Sequence, residues 1–528
     1  MSSLRRDTAE SSRSTPGEHT DRQSSRPESS GGESSGGART FDRVLPTEPH
    51  LSLAQYVAAG GGAGLAAARQ VSAATIIDEI TASGLRGRGG AGFPTGVKWQ
   101  AVASFASPTL RTSVIVNAAE GEPGTFKDRT ILRTNPYAVI EGALIAALAM
   151  DARTIIVATK ASFATEVERI ESAVAEIVDA GWAGEVDVRV LQGPAEYLYG
   201  EETALLEVVD GRPPFPRIAP PFRRGIVEVV TSERDAASGS GLPANVQMAS
   251  TEHASAAPPV LVNNVETFAN VPGIIAHGAE WFRSIGTVGS PGTIVCTVTG
   301  DVLHPGVAEL AMGTTLRDVI DQVGGGMQPE EQIQAVLIGV SSAVITPGQL
   351  DTPLGYETMA AIGSGLGSAG LIVLSDKTDM VGVAAGVSRF LAIESCGQCT
   401  HCKEDGLEIS ELLATVARGE GQHSDMATIE TLLSTVAEGA RCSLATQHQT
   451  VVGSILGTFD DQVGALLEAG GAPVQVRLIA ELSNLDDNGA TIDASFVDKQ
   501  PDWTYGTIPS GKSPVDLLVD HRAPASHP

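Results

Sequence analysis

The chain is poor in aromatic residues, in cysteine and in positive charge, and it contains no long apolar run. Only 4% of its 528 residues are Phe, Trp or Tyr, and 35 Lys and Arg stand against 63 Asp and Glu, a formal charge of −28. So acidic a chain excludes a general nucleic-acid binder, because duplex binding needs clustered cations to displace counterions. The most apolar helical stretch, Ala138 to Met150, is 13 residues long and holds Glu141. Roughly 20 such residues are needed to span a bilayer, so no direct membrane insertion is expected. Five cysteines are too few for a secreted disulfide scaffold, and three of them lie within seven residues. That crowding suits metal ligation in a reducing compartment, hence a cytoplasmic protein whose partners are proteins or small molecules.

What is present divides along the chain. The first 40 residues hold 11 serines, with Leu4 the only large aliphatic side chain, too little apolar surface to offset ordering entropy. They lack the apolar centre of a signal peptide, and a disordered tail is expected over 1–40. From about Leu51 an alanine-rich helical stretch leads to a glycine-dense loop, Gly84 to Gly96. Asn135-Pro136 supplies an N-cap and an N1 proline for a helix to Met150. The β-branched run Thr154 to Ala158 predicts a buried strand, Ser162 caps a helix to about Ala180, and Val186 to Val190 alternates as a further strand. This alternation predicts α/β layering on a parallel sheet over 41–271, interrupted near 225–258 by small and polar residues that read as an inserted loop. Between 272 and 378 strands such as Thr293 to Thr299 surround a short helix, Thr315 to Val323, as in a small β-grasp module. Four amphipathic stretches between 379 and 470 (Val381 to Ile393, Leu407 to Arg418, Met426 to Glu438, Gln449 to Leu467) fit a four-helix bundle. Residues 471–528 are expected to pack as an extended tail.

Chemistry concentrates in a few motifs. Cys396-x-x-Cys399-x-x-Cys402 lets one loop wrap the corner of an iron–sulfur cube. The position of a following fourth cysteine is Gly406, so a remote residue must close the site. Cys442 lies in the same helical region, whereas Cys296 falls in a strand of another module. The alternatives are a zinc site or buried free thiols, although structural zinc more often takes two separated pairs. His401, between two of these cysteines, reads as a surface or neighbouring residue rather than a ligand. Gly87, Gly89 and Gly92 match GxGxxG, but a helix precedes the loop and Pro94 interrupts the segment after it, so an ordinary Rossmann turn is disfavoured. The loop offers bare backbone N–H groups with Arg86, Arg88 and Lys98 nearby, which suits phosphate and a flat ring; a purely structural turn is the alternative. Asn117-Ala-Ala-Glu-Gly-Glu-Pro-Gly-Thr-Phe-Lys-Asp-Arg129, Tyr197 to Thr203 and Asn263 to Thr267 each follow a strand. Their recurrence at strand ends beside a glycine loop predicts a cofactor crevice.

With these motifs in place, residues 50 to 470 resemble the flavin-containing 51 kDa NADH dehydrogenase subunit family of respiratory complex I. That family includes the diaphorase subunits of NAD-linked hydrogenases and formate dehydrogenases. The resemblance implies a Rossmann-like FMN domain, a β-grasp (soluble-ligand-binding) domain and a C-terminal helical bundle carrying one [4Fe-4S] cluster. It implies that Gly87, Arg88, Gly89, Gly90 and Lys98 of the glycine loop, with Asn117, Glu120, Tyr197, Gly200, Glu201, Asn263 and Asn264, surround FMN. Phe93, Glu202 and Phe222 would line the NADH side with Glu122, the catalytic candidate, and Cys396, Cys399, Cys402 and Cys442 match the cluster ligands. A nicotinamide yields two electrons as hydride and a cluster takes one, so the flavin lies between them. The implied acceptor is a thioredoxin-like [2Fe-2S] subunit, followed by further electron-transfer subunits at the membrane face. Ala119 stands where the family usually has Asp, Ala101 where it commonly has Phe and Ala219 where it commonly has Lys. Losing one adenine-stacking ring costs on the order of 1 kcal/mol. Three roles stay open: NADH oxidation in a complex I-like assembly, a soluble hydrogenase or formate dehydrogenase diaphorase, or an electron relay with weakened NADH binding.

Overall fold

Four short runs rich in Val and Ile assemble a parallel sheet. In the computed structural model, which describes residues 40–106, 111–218, 259–468 and 471–522, these runs are β1 (Ser113–Ala118), β2 (Thr154–Lys160), β3 (Asp187–Gly193) and β4 (Val260–Asn264). Their order is β3-β2-β1-β4, parallel throughout. Val114, Ile115 and Val116 are fully buried, as a parallel strand covered on both faces requires. The chain runs from β1 outward to β2 and β3, then returns to place β4 on the other flank of β1. Such a reversal opens a crevice at the carboxyl ends of β1 and β4, where open α/β sheets bind ligands. Asn117 and Asn264 are register partners there.

The helices follow from local signals. Asn135 caps Pro136–Met150 by accepting from the Ala138 N–H at 3.3 Å. That helix is buried on nearly every side, which explains its apolar run. Its one carboxylate, Glu141, accepts from the Tyr56 hydroxyl at 2.7 Å and from the Gly62 and Leu65 N–H groups at 2.8 Å, so it closes the first turn of the helix Ala63–Ala68. The expected Ser162 cap is not formed: the helix spans Ala164–Asp179, with Phe163 at its N-cap and no side-chain cap. The buried Phe163 ring fixes the entry of the chain instead.

A second sheet, β5 (Thr293–Gly300), β6 (Gly306–Ala311), β7 (Ile333–Ile338) and β8 (Gly370–Ser375), has the order β6-β5-β8-β7. The central pair β5 and β8 is parallel and both outer pairs are antiparallel. The helix Leu316–Val323, capped by Thr315, covers it with Leu316, Val319 and Ile320. Beyond it five helices follow: Met380–Glu394, Thr400–Ala417, His423–Thr435, Leu444–Thr458 and Asp460–Leu467. The stretch expected as one last helix, 449–467, is broken at Phe459, whose φ of −118° and ψ of 41° leave the helical region. A hairpin of β9 (Leu482–Asp486) and β10 (Gly489–Ile492) and a helix, Pro514–Arg522, end the described chain. Among the described residues no helix is long and apolar enough to cross a membrane. The tail over 1–39 and the 225–258 loop lie outside the described residues.

Candidate functional site

The glycine loop joins two helices rather than a strand and a helix. Gly84, with a φ of 69°, ends Ala73–Ser83, and Thr95–Ser104 starts directly after Pro94. Between them the loop closes on itself through Gly87 N–H to Phe93 O at 2.8 Å and Thr95 N–H to Leu85 O at 2.9 Å. Gly90 has a φ of 134°, and a Cβ there would meet open space. A Cβ on Gly89 would sit 3.2 Å from the Cβ of Asn264, which brings the loop against the end of β4. Across the crevice a Cβ on Gly200 would lie 2.9 Å from the Ala119 carbonyl oxygen, so glycine lets two backbone segments approach. Phe93 is 54% exposed at the rim.

The crevice polar groups are each held by hydrogen bonds to neighbouring side chains or backbone. Asn117 donates to Gly200 O at 2.8 Å, and Asn263 accepts from the Trp99 indole at 2.9 Å. Asn264 caps the helix Val265–His277, donates to Asp128 at 2.6 Å and accepts from Lys127 at 3.2 Å. Glu201 caps Glu202–Val209 through the Thr203 and Ala204 N–H groups at 3.0 and 2.8 Å. Lys98 Nζ holds Glu202 at 2.6 Å and Val262 O at 2.8 Å. Glu120 accepts from the Asp128 and Arg129 N–H groups, both at 3.2 Å; burial and then the Asp128 charge push its carboxyl up to about 7. Glu122 accepts from the Tyr197 hydroxyl at 2.5 Å and from Val340 N–H at 2.7 Å, and burial raises its carboxyl above the ordinary value.

Two expectations need correction. The Arg88 guanidinium is not free for a ligand: it is buried and donates to Pro291 O at 3.2 Å, Thr293 O at 2.9 Å and Tyr356 Oη at 3.2 Å. It clamps the glycine loop to β5 because those strand-edge carbonyls need donors. The cations expected to make the crevice basic are also paired among the described residues, Arg86 with Glu357 and Lys98 with Glu202. Phe222 and Ala219 lie outside the described residues. Sequence reasoning gave no role to Lys127, Asp128, Glu266 or Lys160. The adjacent Lys127-Asp128 pair was one available signal; a lone lysine ending the buried strand β2 was another.

Cys396, Cys399, Cys402 and Cys442 line one cavity together with Leu198 and Pro216. The loop before the helix Thr400–Ala417 carries the first two, Cys402 lies in that helix's first turn, and Cys442 precedes Leu444–Thr458. Gln398 Nε2 donates to Cys396 Sγ at 3.4 Å, and Ser395 Oγ lies 3.3 Å from Cys402 Sγ. Burial pushes the Cys402 thiol up to about 11 and Cys442 up to about 12. Among the described residues no three His, Cys, Asp or Glu side chains converge on a single-ion position. Four sulfurs around one shared apolar space are a donor set that fits an iron–sulfur group. Cys296 is buried in β5, and His401 pairs with Asp405 at 3.0 Å on the surface. The bare backbone and strand-end amides of the crevice likewise suit a flat, phosphate-bearing group.

A switch-point crevice beside a four-cysteine cavity defines a flavin- and iron–sulfur-dependent oxidoreductase. Three family models match in the same places: the Nuo51 FMN-binding domain over residues 80–273, the SLBB domain over 295–345, and the NADH-ubiquinone oxidoreductase-F iron–sulfur binding region over 382–466. The chain is 37% identical over 406 residues to an NADH-quinone oxidoreductase F subunit, the form numbered 2, of Rhizobium meliloti (strain 1021), covering 75% of this chain and 89% of that one. It is 34% identical over 418 residues to the NADP-reducing hydrogenase subunit HndC of Solidesulfovibrio fructosivorans, covering 78% and 79%. An NAD+-reducing [NiFe]-hydrogenase in the H2-reduced state superposes with a TM-score of 0.67 at 29% identity, covering 80% of this chain and 67% of that one. The chain belongs to the family of NADH-quinone oxidoreductase F subunits.

Proposed function

We propose that this chain takes electrons from NADH at FMN in the β1/β4 crevice. They pass through a [4Fe-4S] cluster on Cys396, Cys399, Cys402 and Cys442 to a thioredoxin-like [2Fe-2S] partner subunit and further electron-transfer subunits of a complex I-like assembly. The observation that carries this reading is the joint between the two sites: Tyr197 hydrogen-bonds Glu122 in the crevice, and the next residue, Leu198, lines the cysteine cavity. FMN, when bound, accepts hydride from a nicotinamide and releases electrons singly, which a cluster requires. The chain's own residues hold, orient and exclude water. Gly87 closes the loop through its N–H to Phe93 O while Gly89 and Gly90 present their backbone to phosphate, Asn117, Asn263 and Asn264 set the strand ends, and Gly200 lets the opposite wall approach. Phe93 and Glu202 stand at the rim on the nicotinamide side, and Glu122, fixed between Tyr197 and Val340, orients the dinucleotide without a proton-transfer role. Domain limits of 41–271, 272–378 and 379–470 accompany this reading, as does action at the cytoplasmic face of a membrane through partner subunits alone.

The test is NADH-ferricyanide turnover by the FMN-loaded, cluster-loaded chain with its [2Fe-2S] partner. Turnover with millimolar NADH is expected; bound flavin that NADH does not reduce would leave only the relay role. Similarity to HndC and to the NAD+-reducing hydrogenase favours a second reading, a soluble diaphorase running toward NAD+. Co-purification with a nickel-containing subunit instead of membrane subunits identifies that case.

A further inference from the structure

The matched iron–sulfur region ends at 466, yet the C-terminal segment beyond it reaches back to both walls of the crevice. Lys160 ends β2, is fully buried and pairs with Glu481 of this segment. Its ammonium lies against the backbone of Gly121: a Cβ on Gly121 would be 2.7 Å from Lys160 Nζ and 3.6 Å from the Tyr197 ring. Lys499 donates to Glu394 Oε1 at 2.7 Å, and Glu394 Oε2 accepts from the Tyr197 N–H at 3.1 Å. Both members of the Lys499–Glu394 pair are 3% exposed. The Tyr197 ring meets Phe390 edge-on at 5.3 Å, and Phe390 packs on Phe496 of the segment at 5.2 Å. Arg129, whose N–H holds Glu120, donates to Leu482 O at 2.7 Å and Ser483 O at 3.0 Å.

We infer that Glu481 and Lys499 are positioning residues of the flavin crevice, acting through Lys160 on Gly121 and through Glu394 on Tyr197. The inference rests on the flavin reading of the crevice. A segment that only braced the fold would need contacts of any kind; this one directs the half-buried Glu481 and the buried Lys499 at the two groups that touch Gly121 and Tyr197. Crevice geometry then depends on residues some 280 or more positions away in sequence. Partners of this kind alter ligand affinity or activity by about 10- to 100-fold when removed.

The experiment measures FMN dissociation by flavin fluorescence on the full chain, alongside melting temperature and the EPR spectrum of the reduced cluster. The variants are Glu481→Gln, Lys499→Met and Lys499→Arg. Glu481→Gln, which keeps a polar partner for Lys160, serves if Lys499→Met fails to fold. The expected result is FMN affinity weakened about tenfold in Glu481→Gln and Lys499→Met, restored in Lys499→Arg, with the cluster spectrum unchanged. Wild-type FMN affinity in folded Glu481→Gln, whatever its melting temperature, overturns the inference and leaves the segment a brace. A wild-type chain that binds no FMN instead overturns the flavin reading and this inference with it.

Discussion

Replacing Lys127 by Met removes the one ammonium in a buried set of carboxylates. Lys127 Nζ lies 2.7 Å from Asp128, 2.9 Å from Glu266 and 3.2 Å from the Asn264 amide oxygen. The Lys127 and Glu266 side chains are each 1% exposed. Burial alone would lower the Lys127 pKa, but Asp128, Glu266 and Glu120 outweigh it and hold the group above the ordinary lysine value. Taking one member from a buried pair costs about 3–5 kcal/mol, mostly the penalty of the charge left behind. Arg88 stands 3.8 Å from Glu266 and compensates in part, so the lower figure is expected. At about 1 °C per kcal/mol for a chain of this size, the apparent melting temperature at pH 7 falls by about 3 °C. A cycle with Glu266→Gln separates lost attraction from lost packing: the double variant Lys127→Met/Glu266→Gln is expected to lose less than the sum of the single changes. A fall below about 1 °C, or strict additivity, refutes the assignment of Lys127 as the counter-charge beneath Asn264.

Two further predictions concern the cluster and Glu120. Cys442→Ser abolishes the low-temperature EPR signal of the reduced cluster, while Cys296→Ala leaves it intact; an unchanged signal in Cys442→Ser shows that the fourth ligand is elsewhere. The Glu120 carboxyl is raised from 4.5 to about 7, so between those values the folded chain holds a proton that the unfolded chain has lost. Its contribution to stability is complete below about pH 4.5 and is lost as the pH rises through 7, roughly 3 kcal/mol in all. Glu120→Gln, which cannot titrate, should show a smaller fall in melting temperature between pH 5 and pH 8 than the wild type; parallel pH profiles would falsify the burial argument.

Local signals carried much of the architecture. Asn135-Pro136 opened a helix, the stretch from Thr315 to Val323 formed another, and the β-branched runs at 113–116 and 154–158 became the buried centre of a parallel sheet. Sharing the helical region of the triplet favours Cys442 over Cys296, and Cys442 lines the same cavity as those three cysteines. The failures share a cause. Ser162 had cap chemistry, but the buried Phe163 set where the helix begins. Arg88 sat in a loop suited to phosphate, yet its guanidinium meets the carbonyls of Pro291 and Thr293, at the start of β5 some 200 residues away. A pattern read within a window of 20 residues cannot report such partners, because they depend on how distant modules pack.

The charge pairing changes how an acidic chain can hold a phosphate. Arg86, Lys98 and Lys127 each face a carboxylate, Glu357, Glu202 and Asp128 respectively, so none adds an uncompensated cation to the crevice. Among the described residues, backbone N–H groups are a further source of positive potential, and they act at short range through direction rather than net charge. That accounts for the glycines: Gly89 admits Asn264 and Gly200 admits Ala119 O, while Gly90 faces open space at a φ no other residue favours. A side chain at any of these positions would displace the donors themselves. The buried ion pairs around this crevice, Lys127 with Asp128 and Glu266, therefore serve to keep its backbone shape fixed.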